Sequence, residues 1–240
     1  MKIAILENGI SSYDDNQITE LYEMYLLNQK MEISSQYIFT LMDELIKQIQ
    51  EKRFNIILDF ATGRGLLAEA LARNITDSLL IFSDINPIIL QRCKQYIDNT
   101  NYNKNISYIA FDMKKSPFAN NAADIVTTLL GMQNIPHTGN LLQEIFRVCR
   151  KEYYSISSFC CDKHEENDKY LKQYGMLDVW AKEMLFPKMF DVGFAKHDKV
   201  LSYSANVQPP AKEIIESGYA VSKFPCQKCR IEYSLDCFVK

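Results

Sequence analysis

Three aspartates and two glycines carry the chemistry that can be read from this sequence. Asp59 precedes a short loop, Phe60-Ala61-Thr62-Gly63-Arg64-Gly65, and Asp84 and Asp112 follow at later, separate points. Glycines in such a loop let the backbone come close to a ligand. A helix starting just after it offers free N–H groups. A carboxylate four residues before Gly63 would face a pyrophosphate unfavourably, but it suits a ligand bearing an ammonium and a sulfonium. Asp84 is placed to accept hydrogen bonds from two ribose hydroxyls, and Asp112 to accept from an adenine amino group.

The elements that must position these residues follow from the hydrophobic pattern. Residues 55–60, 79–84, 106–111, 124–130 and 153–161 read as strands. Helical patterns lie between them at 66–73, 88–97 and 140–150. This alternation predicts an α/β fold with a doubly wound, mostly parallel seven-stranded sheet and helices on both faces. In such sheets ligands bind beyond the carboxyl ends of the strands, where Asp59, Asp84 and Asp112 each fall. The chain is read as a single domain, 1–240. Within it, 1–51 is a helical cap or lid in which Ile38, Leu41, Met42, Leu45, Ile46 and Ile49 form one apolar stripe. Ser34 or Ser35 would cap that helix, and Tyr13, Tyr22 or Tyr25 would reach the cofactor. Residues 162–205 read as a mostly helical insertion over the substrate side. A short helix at 211–217 and two strands, about Tyr219–Pro225 and Arg230–Val239, are expected to end the chain as an antiparallel hairpin.

The loop has a second reading. Gly63-x-Gly65-x-x-Ala68, with Asp84 further on, also satisfies the dinucleotide fingerprint. Asp59 and Asp112 favour adenosine joined to an amino-acid cation. Ile56-Ile57-Leu58-Asp59-Phe60-Ala61-Thr62-Gly63-Arg64-Gly65 resembles the first motif of the Rossmann-like S-adenosylmethionine-dependent methyltransferases. Phe82-Ser83-Asp84-Ile85-Asn86-Pro87 resembles their second. Asp112 to Phe118, Ala123 to Val126 and Leu142 to Val148 continue the likeness. The resemblance implies that Asp59, Ala61, Gly63 and Gly65 line the methionine part of S-adenosylmethionine, and that Asp84 and Ile85 hold the ribose and flank adenine. It implies that Asp112 and Met113 hold adenine, and that Leu130 sits near the methionine end. The sequence departs from the family at Ala61, where a glycine is usual, and at Lys151-Glu152-Tyr153-Tyr154, where a Gly-Gly turn usually precedes the fifth strand.

The expected activity is methyl transfer to the O, N, S or C atom of a small molecule, with S-adenosylhomocysteine as product. The alternatives are a non-catalytic or regulatory cofactor-binding protein, or a methyltransferase acting on protein or nucleic acid. His137, in the loop after the fourth strand, is the candidate general base. The formal net charge of −3 does not advertise a nucleic-acid partner. No apolar run approaches the roughly 18 residues of a membrane span, and the apolar start of the chain is too short for a signal peptide. With seven cysteines and no export signal, a cytoplasmic location with reduced thiols is expected. Cys226 and Cys229 form one Cys-x-x-Cys pair with no clear second pair, so no metal site is expected.

Overall fold

A computed structural model describes residues 4, 5, 36–100, 102, 105–209 and 224–240. In chain order the elements are β1 (Ala4–Ile5), α1 (Gln36–Lys52), β2 (Ile56–Asp59), α2 (Leu66–Asn74), β3 (Leu79–Asp84), α3 (Pro87–Asp98), β4 (Ile106–Ala110) and β5 (Ala123–Leu129). A short 3₁₀ turn (Met132–Asn134) follows. Then come α4 (Gly139–Val148), β6 (Cys149–Cys160), α5 (Glu165–Gln173), α6 (Leu177–Trp180), α7 (Lys182–Asp191), β7 (Lys196–Val207) and β8 (Cys229–Val239).

The eight strands among the described residues form one sheet, ordered β1-β4-β3-β2-β5-β6-β8-β7. Every pairing from β1 to β6 is parallel, and β8 runs antiparallel to both β6 and β7. Seven substantial strands with an antiparallel C-terminal pair agree with the expected fold class. The order reverses between β2 and β5, whose carboxyl ends therefore border the crevice that doubly wound sheets use for ligands.

Two apolar layers enclose the sheet. One holds Ile57, Leu80, Ile125, Ile156 and Leu235 against α1, α2 and α3. The other holds Leu58, Val126, Tyr153 and Phe238 against α4 and the helices after β6. The α1 stripe is wholly in the first layer: Ile38, Leu41, Met42, Leu45, Ile46 and Ile49 are all buried. From Gln36 onward, then, the expected cap is a helix covering the sheet. Ser34, Ser35 and the three expected lid tyrosines lie outside the described residues.

The tail differs from expectation. β8 pairs with β6 on one side and β7 on the other, and the insertion is helical only as far as Asp191; residues 219–223 of the expected first hairpin strand lie outside the described residues. β7 is the sheet edge, half-exposed along most of its length, so it lacks the apolar run that marks a buried strand. Phe224 and Pro225 are not in a strand, and Pro225 has no N–H to give a ladder. The expected helix at 211–217 lies outside the described residues. Cys226 and Cys229 stand at the end of a long connection, not in a tight hairpin turn. No separate turn precedes β6, since α4 ends at Val148 and the strand begins at Cys149. The Lys240 ammonium closes that helix end, donating to the carbonyls of Phe146 (2.8 Å) and Cys149 (2.9 Å).

Candidate functional site

Asp59 ends β2 directly opposite Thr127 of β5. The Thr127 hydroxyl donates to Asp59 Oδ1 at 2.7 Å and the Thr62 hydroxyl to Oδ2 at 2.8 Å. Asp59 is only 1% exposed. The carboxylate therefore ties the loop at Thr62 to the end of β5 at Thr127. Burial pushes its pKa up to about 7; the two threonine hydrogen bonds oppose the rise and the charge of Asp84 adds to it.

The loop is stitched to the next strand. The Thr62 N–H donates to the Ser83 carbonyl (2.8 Å), the Ser83 N–H to Thr62 Oγ1 (3.1 Å), and the Ser83 hydroxyl to the Asp59 carbonyl (2.8 Å). Asp84, one residue on, accepts from the Gly63 N–H through Oδ2 and from the Asn86 N–H through Oδ1, both at 2.9 Å. A carboxylate has about four acceptor sites, so Asp84 keeps capacity for a further hydroxyl. Burial also raises its pKa, against the hydrogen bonds from Asn86, Gly63 and Ile85. Ile85, half-buried, follows it. Asn86 caps α3, accepting from the Ile88 N–H at 3.0 Å, and Pro87 supplies the first helical turn.

Asp112 belongs to the same rim. The Phe111 N–H donates to the Asp84 carbonyl at 3.0 Å, and Asp112 Oδ1 accepts from the Lys114 N–H at 2.9 Å. The Met113 side chain is buried in the second apolar layer.

Gly63 and Gly65 have φ of 54° and 81°. A Cβ at Gly63 would find its nearest neighbour 3.8 Å away, whereas one at Gly65 would come 2.7 Å from Cys93 Sγ. Ala61 also adopts a positive φ, 52°, which an L-residue tolerates poorly. The accommodating partner is Gly131, where an added Cβ would lie 2.6 Å from Ala61 Cβ. The methyl missing at 131 is thus the methyl present at 61. Leu130, just before it, has φ of 55° and donates its N–H to the Ile156 carbonyl at 2.8 Å. Strain at the end of β5, facing the loop, fits a site held in a fixed shape.

With this geometry in place, likeness to known proteins becomes informative. The model of the ubiE/COQ5 methyltransferase family matches residues 16–214. The chain belongs to the ubiE/COQ5 methyltransferase family. Among its relatives is the ubiquinone/menaquinone biosynthesis C-methyltransferase UbiE of Rickettsia prowazekii (strain Madrid E). It is 32% identical over 139 residues, covering 56% of this chain and 54% of the relative. The UbiE of Rickettsia bellii (strain OSU 85-389) is 33% identical over 112 residues, covering 45% of each. The chain spans about half the length of the curated relatives it matches. Among solved structures, the YcgJ protein of Bacillus subtilis superposes with a TM-score of 0.64 at 15% identity, over 84% of this chain and 98% of the other. The phosphoethanolamine N-methyltransferase 2 of Haemonchus contortus, solved with S-adenosyl-L-methionine, gives 0.61 at 15%, over 98% and 60%. At these identities the two structures bear on the fold alone.

In this family member Asp59, Ala61, Gly63, Gly65, Asp84, Ile85, Asp112 and Leu130 gather at the carboxyl ends of β2 to β5. His137 does not join their hydrogen-bond network. It is exposed, with φ of 57°, and its N–H donates to the Gly175 carbonyl at 3.1 Å. Thr62, Ser83, Asn86, Thr127 and Gly131 were missed as site residues. Thr127 could have been found by aligning strand ends, since it is level with Asp59. Gly131 had no signal before the fold brought it against Ala61.

Asp124 marks the opposite edge of the sheet. Its Oδ2 accepts from the N–H groups of Asn55 (2.8 Å) and Ile56 (3.2 Å), and its Oδ1 from Arg150 (3.2 Å). Among the described residues, no group of three or more His, Cys, Asp or Glu side chains is gathered to hold a metal, and no helix is long and apolar enough to cross a membrane.

Proposed function

We propose that this protein transfers the methyl group of S-adenosylmethionine to a small-molecule acceptor, and that the accepting atom is a ring carbon. The observation that carries this reading is Asp84, held by the Gly63 and Asn86 amides at the switch point of the sheet. Family membership and the C-methyltransferase relatives support it. The residues suit the cofactor. Asp84 would accept from the ribose hydroxyls, Ile85 would flank adenine, and Asp112 would accept from the adenine amino group. Ala61, Gly63, Gly65 and Leu130 would hold the amino-acid end. The charge of Asp59 would favour its cation.

The bound cofactor supplies a methyl already activated by its sulfonium. The chain then needs to align the acceptor carbon in line with it and keep water out. The acceptor's proton goes to a base. Between Gly131 and Asn140, His137 is the one titratable side chain, and we assign it that role. We place the protein in the cytoplasm, a reading supported by seven cysteines that are all free thiols.

The test is calorimetry and label transfer. Asp84→Ala is expected to weaken S-adenosylmethionine binding at least about 100-fold, roughly two lost charge-assisted hydrogen bonds. Undiminished binding would remove the site assignment. His137→Ala is expected to lower kcat and leave the cofactor Kd unchanged.

A further inference from the structure

Three tyrosines far apart in sequence meet as a stack. Tyr37 belongs to the first turn of α1, Tyr203 to β7 and Tyr233 to β8. The Tyr37 ring lies 5.1 Å from that of Tyr203 with planes 21° apart, and 6.3 Å from that of Tyr233 with planes 24° apart. Elsewhere Phe60 with Phe111, and Phe111 with Phe118, meet edge-on at 79° and 80°. Those contacts fill a core. Parallel stacking also occurs in the core, where the planes of Tyr153 and Phe238 are 22° apart, but Tyr37 is 37% exposed.

The stack lies beside the candidate site. Tyr203 is in register with Tyr233, and Tyr233 with Ser158 of β6. Ser158 is two residues beyond Ile156, which pairs with Leu129 and accepts from the Leu130 N–H. The tyrosine row is therefore level with the Leu130–Gly131 turn, at the carboxyl edge of the sheet. Strand spacing places Tyr233 about 10 Å and Tyr203 about 14 Å from the line of β5. Tyr203, Tyr233, Leu129 and Leu130 all pack against the same apolar layer, on the face where Asp59 meets Thr127.

We infer that Tyr37, Tyr203 and Tyr233 form a platform on which the flat ring of the methyl acceptor stacks, with the outer face of Tyr37 as the contact surface. The inference rests on the methyltransferase reading above. Offset stacking adds to the area that a ring buries, and the stack and Leu130 pack against one apolar layer.

The experiment is a fluorescence titration of 2-naphthol, with and without S-adenosylhomocysteine, beside calorimetry of S-adenosylhomocysteine alone. Tyr37→Ala and Tyr203→Ala are each expected to raise the naphthol Kd about tenfold, and Tyr37→Phe to change it less than about twofold. The S-adenosylhomocysteine Kd is expected to stay the same in all three. The saturated analogue decahydro-2-naphthol is expected to bind at least about tenfold more weakly than 2-naphthol. Unchanged naphthol affinity in both alanine variants overturns the platform, as does equal affinity for the saturated analogue. Failure of the wild-type protein to bind S-adenosylhomocysteine overturns instead the methyltransferase reading, and with it the platform's role.

Discussion

Ala61 and Gly131 share one methyl group's worth of space. Gly131→Ala would force two Cβ atoms to 2.6 Å, closer than real Cβ atoms come, so the loop or the end of β5 must shift. Cofactor affinity is expected to fall about tenfold or more, as a misplaced binding loop predicts. Ala61→Gly added to it should restore most of the loss, because glycine also relaxes the positive φ at 61. Calorimetry over the four-variant cycle measures the coupling, and a double variant no better than Gly131→Ala would refute the pairing. Asp59 makes a second prediction at this scale. Near pH 6 a carboxyl with a pKa of about 7 is largely protonated, while a bound cation favours its ionised form. Binding of S-adenosylmethionine should therefore release protons at pH 6 and tighten from pH 6 to pH 8. Asp59→Asn should remove both effects, seen by calorimetry in buffers of different ionisation heat.

Elements place these residues through a few ties. The Asp124 carboxylate gathers the start of β2 and Arg150 of β6 to the amino end of β5. Asp124 is 1% exposed. Asp124→Ala would leave two part-buried N–H groups without this acceptor and is expected to cost about 2 kcal/mol in denaturant unfolding. Cofactor affinity should hardly move, because Asp59 lies at the other end of β2. The helices and the parallel strands were legible because their apolar spacing matched the α period or formed buried runs. β7 was not. Its side chains are half in water, so Lys196–Val207 carries charge and polarity where a strand pattern would show alternation. Its place beside β8 comes from the backbone ladder, which leaves no mark on side-chain type.

The molecule as a whole should show the buried charge in its pH dependence. Asp59 binds its proton more tightly folded, at about 7, than at its ordinary 3.8. The native state thus holds the proton over a window where the unfolded chain has lost it, and stability falls as pH rises from about 4 to about 7. That gap corresponds to on the order of 4 kcal/mol. Urea unfolding of the ligand-free protein should be steeper in pH for the wild type than for Asp59→Asn, and equal slopes would count against a buried, raised carboxyl.

By itself the sequence determined the class of the fold, the order of its parallel strands and helices, and the loop with its three aspartates, because periodicity and strand-end chemistry are local properties. Only the tertiary structure decided that Asp59 takes hydrogen bonds from Thr62 and Thr127 while Asp84 takes them from the Gly63 and Asn86 amides. It alone paired Ala61 with Gly131, set His137 against Gly175 and brought three distant tyrosines into one stack. Those outcomes depend on strand register and on which face each side chain takes, and both are fixed only when non-local segments pack together.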